Sequence, residues 1–268
     1  MPNFITICNI ESKDPQQVIH GNEKVIRPRL ADAKFFWDTD LKQTLESRVE
    51  KLSTVVWVQK LGTLKDKSLR LQSLAGKIAA AIGGDTKLAE RAALLCKTDL
   101  LSDMVNEFSD LQGIAGSYYA KQDGEHSDVC AAMVEQYKPS FSGDVLPATV
   151  TGLSLALADR LDSLVGLFGI GQIPTGGKDP FALRRASVGV LRLLVEKDLN
   201  LDLSELIDMA MDNNWPMELK EETKSKLTEY MLDRFSAWYQ DESIPVVVFQ
   251  AVRAKGITQP KDINQRVQ

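Results

Sequence analysis

The stretch TGLSLALADRLDSLVGLF, residues 151–168, constrains the fold more than any other part of the chain. Residues 148–168 are apolar enough to read as a core helix, yet Asp159 and Arg160 stand in the middle of the run. A charge carried into a core needs an internal partner, so other elements must bring polar groups to that level. Asp159 is expected to pair with Arg160, with Lys97 or with backbone groups.

The rest of the chain supplies helices to enclose it. Apolar residues recur at three- and four-residue steps over 41–60 (Leu45, Val49, Leu52, Val55, Val56) and over 68–82 (Leu71, Leu74, Ala75, Ile78, Ile82). Gly83 and Gly84 end the second, and Asp85 or Thr86 can cap the next. Further helices are predicted over 86–101, 101–119, 127–137, 180–196, 203–211, 219–239 and 245–254, with a polar tail after them. Only the start reads as sheet: residues 4–10 alternate apolar and polar, and 24–30 form a second short strand interrupted by Pro28. The fold class is therefore mainly α.

No apolar run is long enough to span a bilayer, and MPNFITICNI lacks the pattern of a signal peptide, so a cytoplasmic protein is expected. Cys8, Cys96 and Cys130 form neither a disulfide framework nor a zinc pattern. A net charge of −5 argues against general nucleic-acid adhesion but leaves room for local patches. Residues 176–197 carry Lys178, Arg184, Arg185, Arg192 and Lys197 against Asp179 and Glu196, and residues 251–268 are also basic on balance. A solvated face accounts for either run taken alone.

GIGQIPTGGKDPFALRR, residues 169–185, invites a nucleotide-binding reading that its details reject. A P-loop needs Ser or Thr after the lysine, whereas Asp179 follows Lys178; the Rossmann spacing is also missing. Asp179 and Pro180 instead read as an N-cap and first helical position. Arginines just inside that helix suit phosphate contact and equally suit ion pairs with carboxylates. His126 with Asp123, Glu125 and Asp128 reads as a solvated loop, Ser154 lacks a nucleophile elbow, and Trp215, Phe235, Trp238 and Tyr239 read as core before they read as base-stacking rings.

AALLCKTDL (92–100) and LALADRLDSL (155–164) resemble two signatures of the HD-domain superfamily of helical phosphohydrolases. That resemblance implies an HD-like helical bundle over residues 41–200. Cys96 and Lys97 occupy the place of its His-Asp pair, leaving only Asp159 of the metal-ligand positions, so it implies the fold without the metal site. A surviving metal-dependent phosphohydrolase is the alternative function.

Longer motifs carry a broader resemblance: IESKDPQQVIHGNEKVIRPRLADAKFFWDTD (10–40), QKLGTLKDKSLRLQSLAG (59–76), CKTDLLSDMVNEFSDLQGIAGSYYAKQDGE (96–125) and DPFALRR (179–185). In order along nearly the whole chain, they resemble the beta subunit of the bacterial tetrameric glycyl-tRNA synthetase, of which this chain looks like an internal fragment. MLDRFSAWYQDESIPVVVFQAVRAKG (231–256) resembles the opening of that family's anticodon-binding domain. The resemblance implies three parts: the end of an N-terminal region at 1–40, the HD-like domain, and a helical linker entering the anticodon-binding domain at 201–268.

It further implies a non-catalytic, tRNA-binding or subunit-organising role in glycine–tRNA ligase, with an alpha subunit, a second beta subunit and glycine tRNA as partners and no membrane. No catalytic residue and no cofactor are expected in this chain; ATP and magnesium would act on the alpha subunit. A docking scaffold for the alpha subunit is a further alternative. By charge and position, Lys178, Arg184, Arg185 and Arg192 lead as phosphate contacts, followed by Arg27, Arg29, Lys65 and Lys67.

Overall fold

The computed structural model describes residues 3–268, and helices dominate it. In chain order they are α1 (Pro15–Asp40), α2 (Leu45–Arg48), α3 (Leu64–Ala81), α4 (Thr86–Leu95), α5 (Asp103–Glu107), α6 (Ile114–Gln122) and α7 (Ser127–Glu135), then α8 (Val150–Gly169) and α9 (Leu183–Glu196). The C-terminal part adds α10 (Leu203–Met211), α11 (Thr223–Leu232), α12 (Arg234–Asp241), α13 (Val246–Arg253) and α14 (Pro260–Val267).

The apolar run at 151–168 becomes α8, and α3, α4, α7, α9, α10 and α11 all pack against it. Thr149 caps α8 at the Gly152 amide, and the buried Glu135 carboxylate at the end of α7 accepts from Ala148 N (2.8 Å), Thr149 N and Thr149 Oγ1 (2.6 Å). Gly152 permits this approach, since a Cβ there would collide with Glu135 Oε2. The buried apolar residues join into one core that runs from Leu45 to Val267.

The sheet lies elsewhere than expected. Residues 24–30 are inside α1, and 4–10 form no strand. The decisive local signal is Asp14-Pro15: the Asp14 carboxylate accepts from Gln16 N and Gln17 N, with proline at the first helical position. Pro28 is carried inside this largely exposed helix, which is fastened by its end. There the buried Asp40 takes hydrogen bonds from Asp103 N and Met104 N (3.0 Å each) and from Tyr119 Oη (2.8 Å).

The predicted helix over 41–60 shortens to α2 and a 3-10 turn, then becomes β1 (Val56–Val58), which pairs antiparallel with β2 (Gly62–Thr63). Val55, Val56 and Val58 favour extended backbone, Gly62 takes a φ of +91°, and Thr63 closes a capping box with Asp66 to begin α3. The helix over 101–119 divides at Gly113 (φ +80°) into α5 and α6, that over 219–239 divides at Asp233 into α11 and α12, and the polar tail folds as α14 against α9. Pro180 stays outside α9, because Ala182 adopts a left-handed conformation (φ 53°). Asp179 nevertheless caps the helix, accepting from Leu183 N and Arg184 N at 2.9 Å.

Candidate nucleic-acid interface

Two charged centres flank α8. In the inner one, the residues of the metal-like signature meet: Lys97 Nζ lies 3.0 Å from Asp159 Oδ2 and 2.7 Å from Gln136 Oε1. Lys67 Nζ donates to Asp162 Oδ2 (3.0 Å) and Ser163 Oγ (2.9 Å) and stands 3.0 Å from Asp159 Oδ1, an ion pair outside hydrogen-bond geometry. Arg70 completes the network, placing Nε 2.7 Å from Asp162 Oδ1. The β1–β2 hairpin brings Trp57 over Lys67, 4.1 Å from the ring centre, while Trp215 covers Arg70 at 4.2 Å.

Burial would raise the Asp159 pKa, but Lys67 and Lys97 outweigh it and hold the carboxyl below its ordinary range. For Lys97 burial pulls downward, and Asp159 more than compensates, so the ammonium is retained. The Cys96 thiol, buried, is pushed up to about 12 and remains protonated. Both Asp159 oxygens thus face ammonium groups that a divalent ion would have to displace, and Cys96 offers no thiolate. The donor set does not fit a metal; no group of three His, Cys, Asp or Glu side chains able to hold one occurs among the described residues.

Arg160 turns away from Asp159. Its guanidinium donates to four carbonyls, those of Gln136 (3.0 Å), Tyr137 (3.2 Å), Pro139 (3.0 Å) and Ala156 (2.9 Å). Burial lowers its pKa to about 10, so it stays charged at neutral pH. The expected Asp159–Lys97 pair is therefore formed and the Asp159–Arg160 pair is not. Arg160 fixes the start of the 139–143 loop, and Gly189 makes room for it: a Cβ at 189 would come 2.7 Å from Arg160 Nε.

The outer centre is a groove of about 720 Å³ built from that loop, α9 and α12. Arg184, Arg185 and Arg192 of α9 line it, joined by Arg234 of α12. Arg192 is engaged, bound to Glu196 at 2.6 Å and to Asp144 O at 3.0 Å. Arg184 reaches back to Gly176 O. Arg185 is exposed and pairs with no carboxylate among the described residues, and Arg234 leaves Nε without a hydrogen-bond partner while its guanidinium lies 4.8 Å from the Tyr230 ring centre. Two aromatic side chains share the lining: Phe141, 64% exposed in the loop, and Trp238 of α12.

Three of the four leading sequence candidates converge on this groove; Lys178 is exposed in the turn that Thr175 and Lys178 close through their backbones. The weaker candidates scatter. Arg27 sits beside Glu23 (3.4 Å), Arg29 beside Glu107 (2.5 Å) and over Phe108, and Lys65 beside Glu50 (2.6 Å). Lys67 needs correction: it is 3% exposed and enclosed by Asp159 and Asp162, so no phosphate reaches it.

His126 is no ligand cluster either, since its Nδ1 caps α7 while Asp123 accepts from Leu45 N and Glu125 binds Arg91. Of the four aromatics weighed as core, Trp238 is the one that lines the groove. Arg234 and Phe141 were missed; an aromatic isolated between serines in a Pro/Gly loop was the available signal for Phe141.

A family model described as the glycyl-tRNA synthetase beta subunit matches residues 1–254. The glycine–tRNA ligase beta subunit of Chromohalobacter salexigens is 57% identical over 266 residues, covering 99% of this chain. The chain belongs to the glycyl-tRNA synthetase beta subunit family. Beta subunits of Marinobacter nauticus (56%, 100% of this chain) and Escherichia coli (53%, 100%) are similarly close. This family member spans 38–39% of the length of these relatives, and no helix among the described residues is long and apolar enough to cross a membrane.

Proposed function

We propose that this chain is a non-catalytic part of a glycine–tRNA ligase beta subunit and supports ATP-dependent glycylation by binding tRNA and organising the subunits. Its relatives are named for that ligase, and the observation that carries the tRNA role is the groove in which Arg184, Arg185 and Arg234 gather beside exposed aromatic surface. Guanidinium groups without internal carboxylate partners are suited to phosphate oxygens, which they can bind in bidentate fashion.

In this reading the ligase is cytoplasmic and assembles two alpha with two beta subunits. The bond-making step, with ATP and magnesium, belongs to the alpha subunit, and residues 201–268 lead into an anticodon-binding region. The test is binding of glycine tRNA to the chain across a salt series. Affinity should fall as salt rises, and Arg184→Ala with Arg185→Ala should weaken binding and flatten that dependence. Equal affinity for the double variant at every salt concentration would remove the groove from the tRNA contact; a pull-down with the alpha subunit tests the organising role separately.

A further inference from the structure

Resting on the tRNA-binding reading, we infer that the groove between the 139–143 loop, α9 and α12 takes an unpaired nucleotide of an RNA single strand rather than the backbone of a duplex. A surface that follows a duplex needs a row of cations and little else, because the helix presents its phosphates outward and keeps its bases stacked inside. This groove has a different composition. Its four arginines are nearly balanced by Glu196, Asp241 and Glu242, and its remaining lining is largely apolar or aromatic.

The charges are also sorted by use. Arg192 is neutralised by Glu196, which leaves three arginines in the lining for one or two phosphates: Arg185, Arg234, and Arg184, whose guanidinium meets the Gly176 carbonyl and no carboxylate among the described residues. Phe141 carries its ring into the open from a loop whose Pro139 carbonyl is held by Arg160 and whose far side is held by Arg192 at the carbonyl of the next residue, Asp144. Trp238 is set against Phe235, ring centres 5.6 Å apart, and its Nε1 donates to Glu242 Oε1 at 2.6 Å, so one ring in the lining is locked before any ligand arrives. Fixed rings beside guanidinium groups are the means by which proteins hold unstacked bases.

The carboxylates add selectivity. Asp241 is exposed at the same groove and has no cationic partner among the described residues. A carboxylate accepts hydrogen bonds and donates none at neutral pH, so it favours a base edge with an exocyclic amino group, as in cytosine or adenine, over the carbonyl-rich edge of uracil. The groove is thereby matched to an amino-bearing base stacked on aromatic surface with its phosphate on the arginine group.

The experiment measures fluorescence anisotropy of labelled oligocytidylate, oligouridylate and a blunt RNA duplex of equal length with the 268-residue chain, alongside glycine tRNA. Oligocytidylate is expected to bind at least about tenfold more tightly than the duplex. Phe141→Ala, at an exposed position where folding is not at risk, should weaken oligocytidylate binding about fivefold or more and leave its salt dependence unchanged. Trp238→Ala should do the same, and Asp241→Asn should narrow the preference for oligocytidylate over oligouridylate.

Equal affinity for duplex and single strand, or no loss in Phe141→Ala, overturns the inference while salt-dependent tRNA binding leaves the proposed function standing. Absence of all RNA binding, glycine tRNA included, removes both. An oligoglutamate peptide that competes for the groove and is lost with the same variants would assign it to an acidic protein partner instead.

Discussion

The Asp159 cluster and the arginine groove are made of the same chemistry, cations and carboxylates with aromatic rings beside them, and differ in whether the charges find partners within the chain. In the cluster Lys67, Arg70 and Lys97 are matched by Asp159 and Asp162, and Trp57 and Trp215 cover two of them. In the groove Arg185 has no such partner among the described residues, and Phe141 projects into the open. Buried, mutually paired charges give a core its register and close it to ligands; unpaired, exposed ones keep their binding capacity for something outside.

The sharpest way to break this contrast is Asp162→Ala. Asp162 is fully buried and holds both Arg70 and Lys67, so its loss leaves Lys67 with Asp159 alone and strips Arg70 of the one carboxylate it meets among the described residues. A destabilisation of about 3–5 kcal/mol is expected in urea unfolding. A change below about 1 kcal/mol would mean that the cluster is no structural element. Lys67→Ala should cost about 3 kcal/mol for the same reason and, at temperatures where the variant is folded, leave tRNA affinity unchanged.

Gly189→Ala links the two regions, because Gly189 lines the groove beside Arg185, Val188 and Arg192 and also receives Arg160 from α8. The new methyl would press on Arg160 Nε, and overpacking of this kind costs about 1–3 kcal/mol. Since Arg160 holds the carbonyls of Tyr137 and Pro139 at the base of the loop, oligocytidylate binding should weaken along with stability. Lost stability with unaltered binding would separate the loop from the cluster's helix.

The contrast explains what the sequence disclosed. The inward Asp159, the enclosing helices and the clustering of Arg184, Arg185 and Arg192 were legible, because burial and helix spacing leave local traces. Lys67 was misread since a lysine on an amphipathic helix carries no mark of facing Asp159 and Asp162, which lie more than ninety residues away. Arg234 and Phe141 were missed for a similar reason: the groove exists only once α12 and the 139–143 loop meet α9. The helix over 24–30 is hidden locally because Pro28 interrupts its run, and the Asp14-Pro15 pair that starts α1 lies ten residues upstream.

Acid titration probes the cluster more gently. Asp159 has its pKa held below the ordinary carboxylate value in the folded chain. As pH falls, the unfolded chain takes up this proton first, so the stabilisation is complete above about pH 4 and is lost progressively below it. Asp99 opposes this trend: burial raises its pKa, so its protonation on acidification favours the folded state. Unfolding free energy should therefore fall as pH is lowered from about 4 to about 2, where the unfolded chain has taken up the Asp159 proton and the folded chain has not. An unfolding free energy that stays level or rises over that window would remove the paired Asp159 from the stability of the fold.

The smallest stability effect belongs to Arg185→Ala. The side chain is exposed and contributes no ion pair among the described residues, so unfolding free energy should shift by no more than about 0.5 kcal/mol. Its effect on binding should be the larger one: tRNA affinity falls, and the slope of log affinity against log salt decreases by about one, as for a single lost phosphate contact. Lys67→Ala and Arg185→Ala then form a crossed pair, the first costing stability and sparing affinity, the second the reverse. Variants that lowered both quantities together would show that the cluster and the groove respond as one unit, and the division between a charge centre that builds the fold and one that faces RNA would have to be given up.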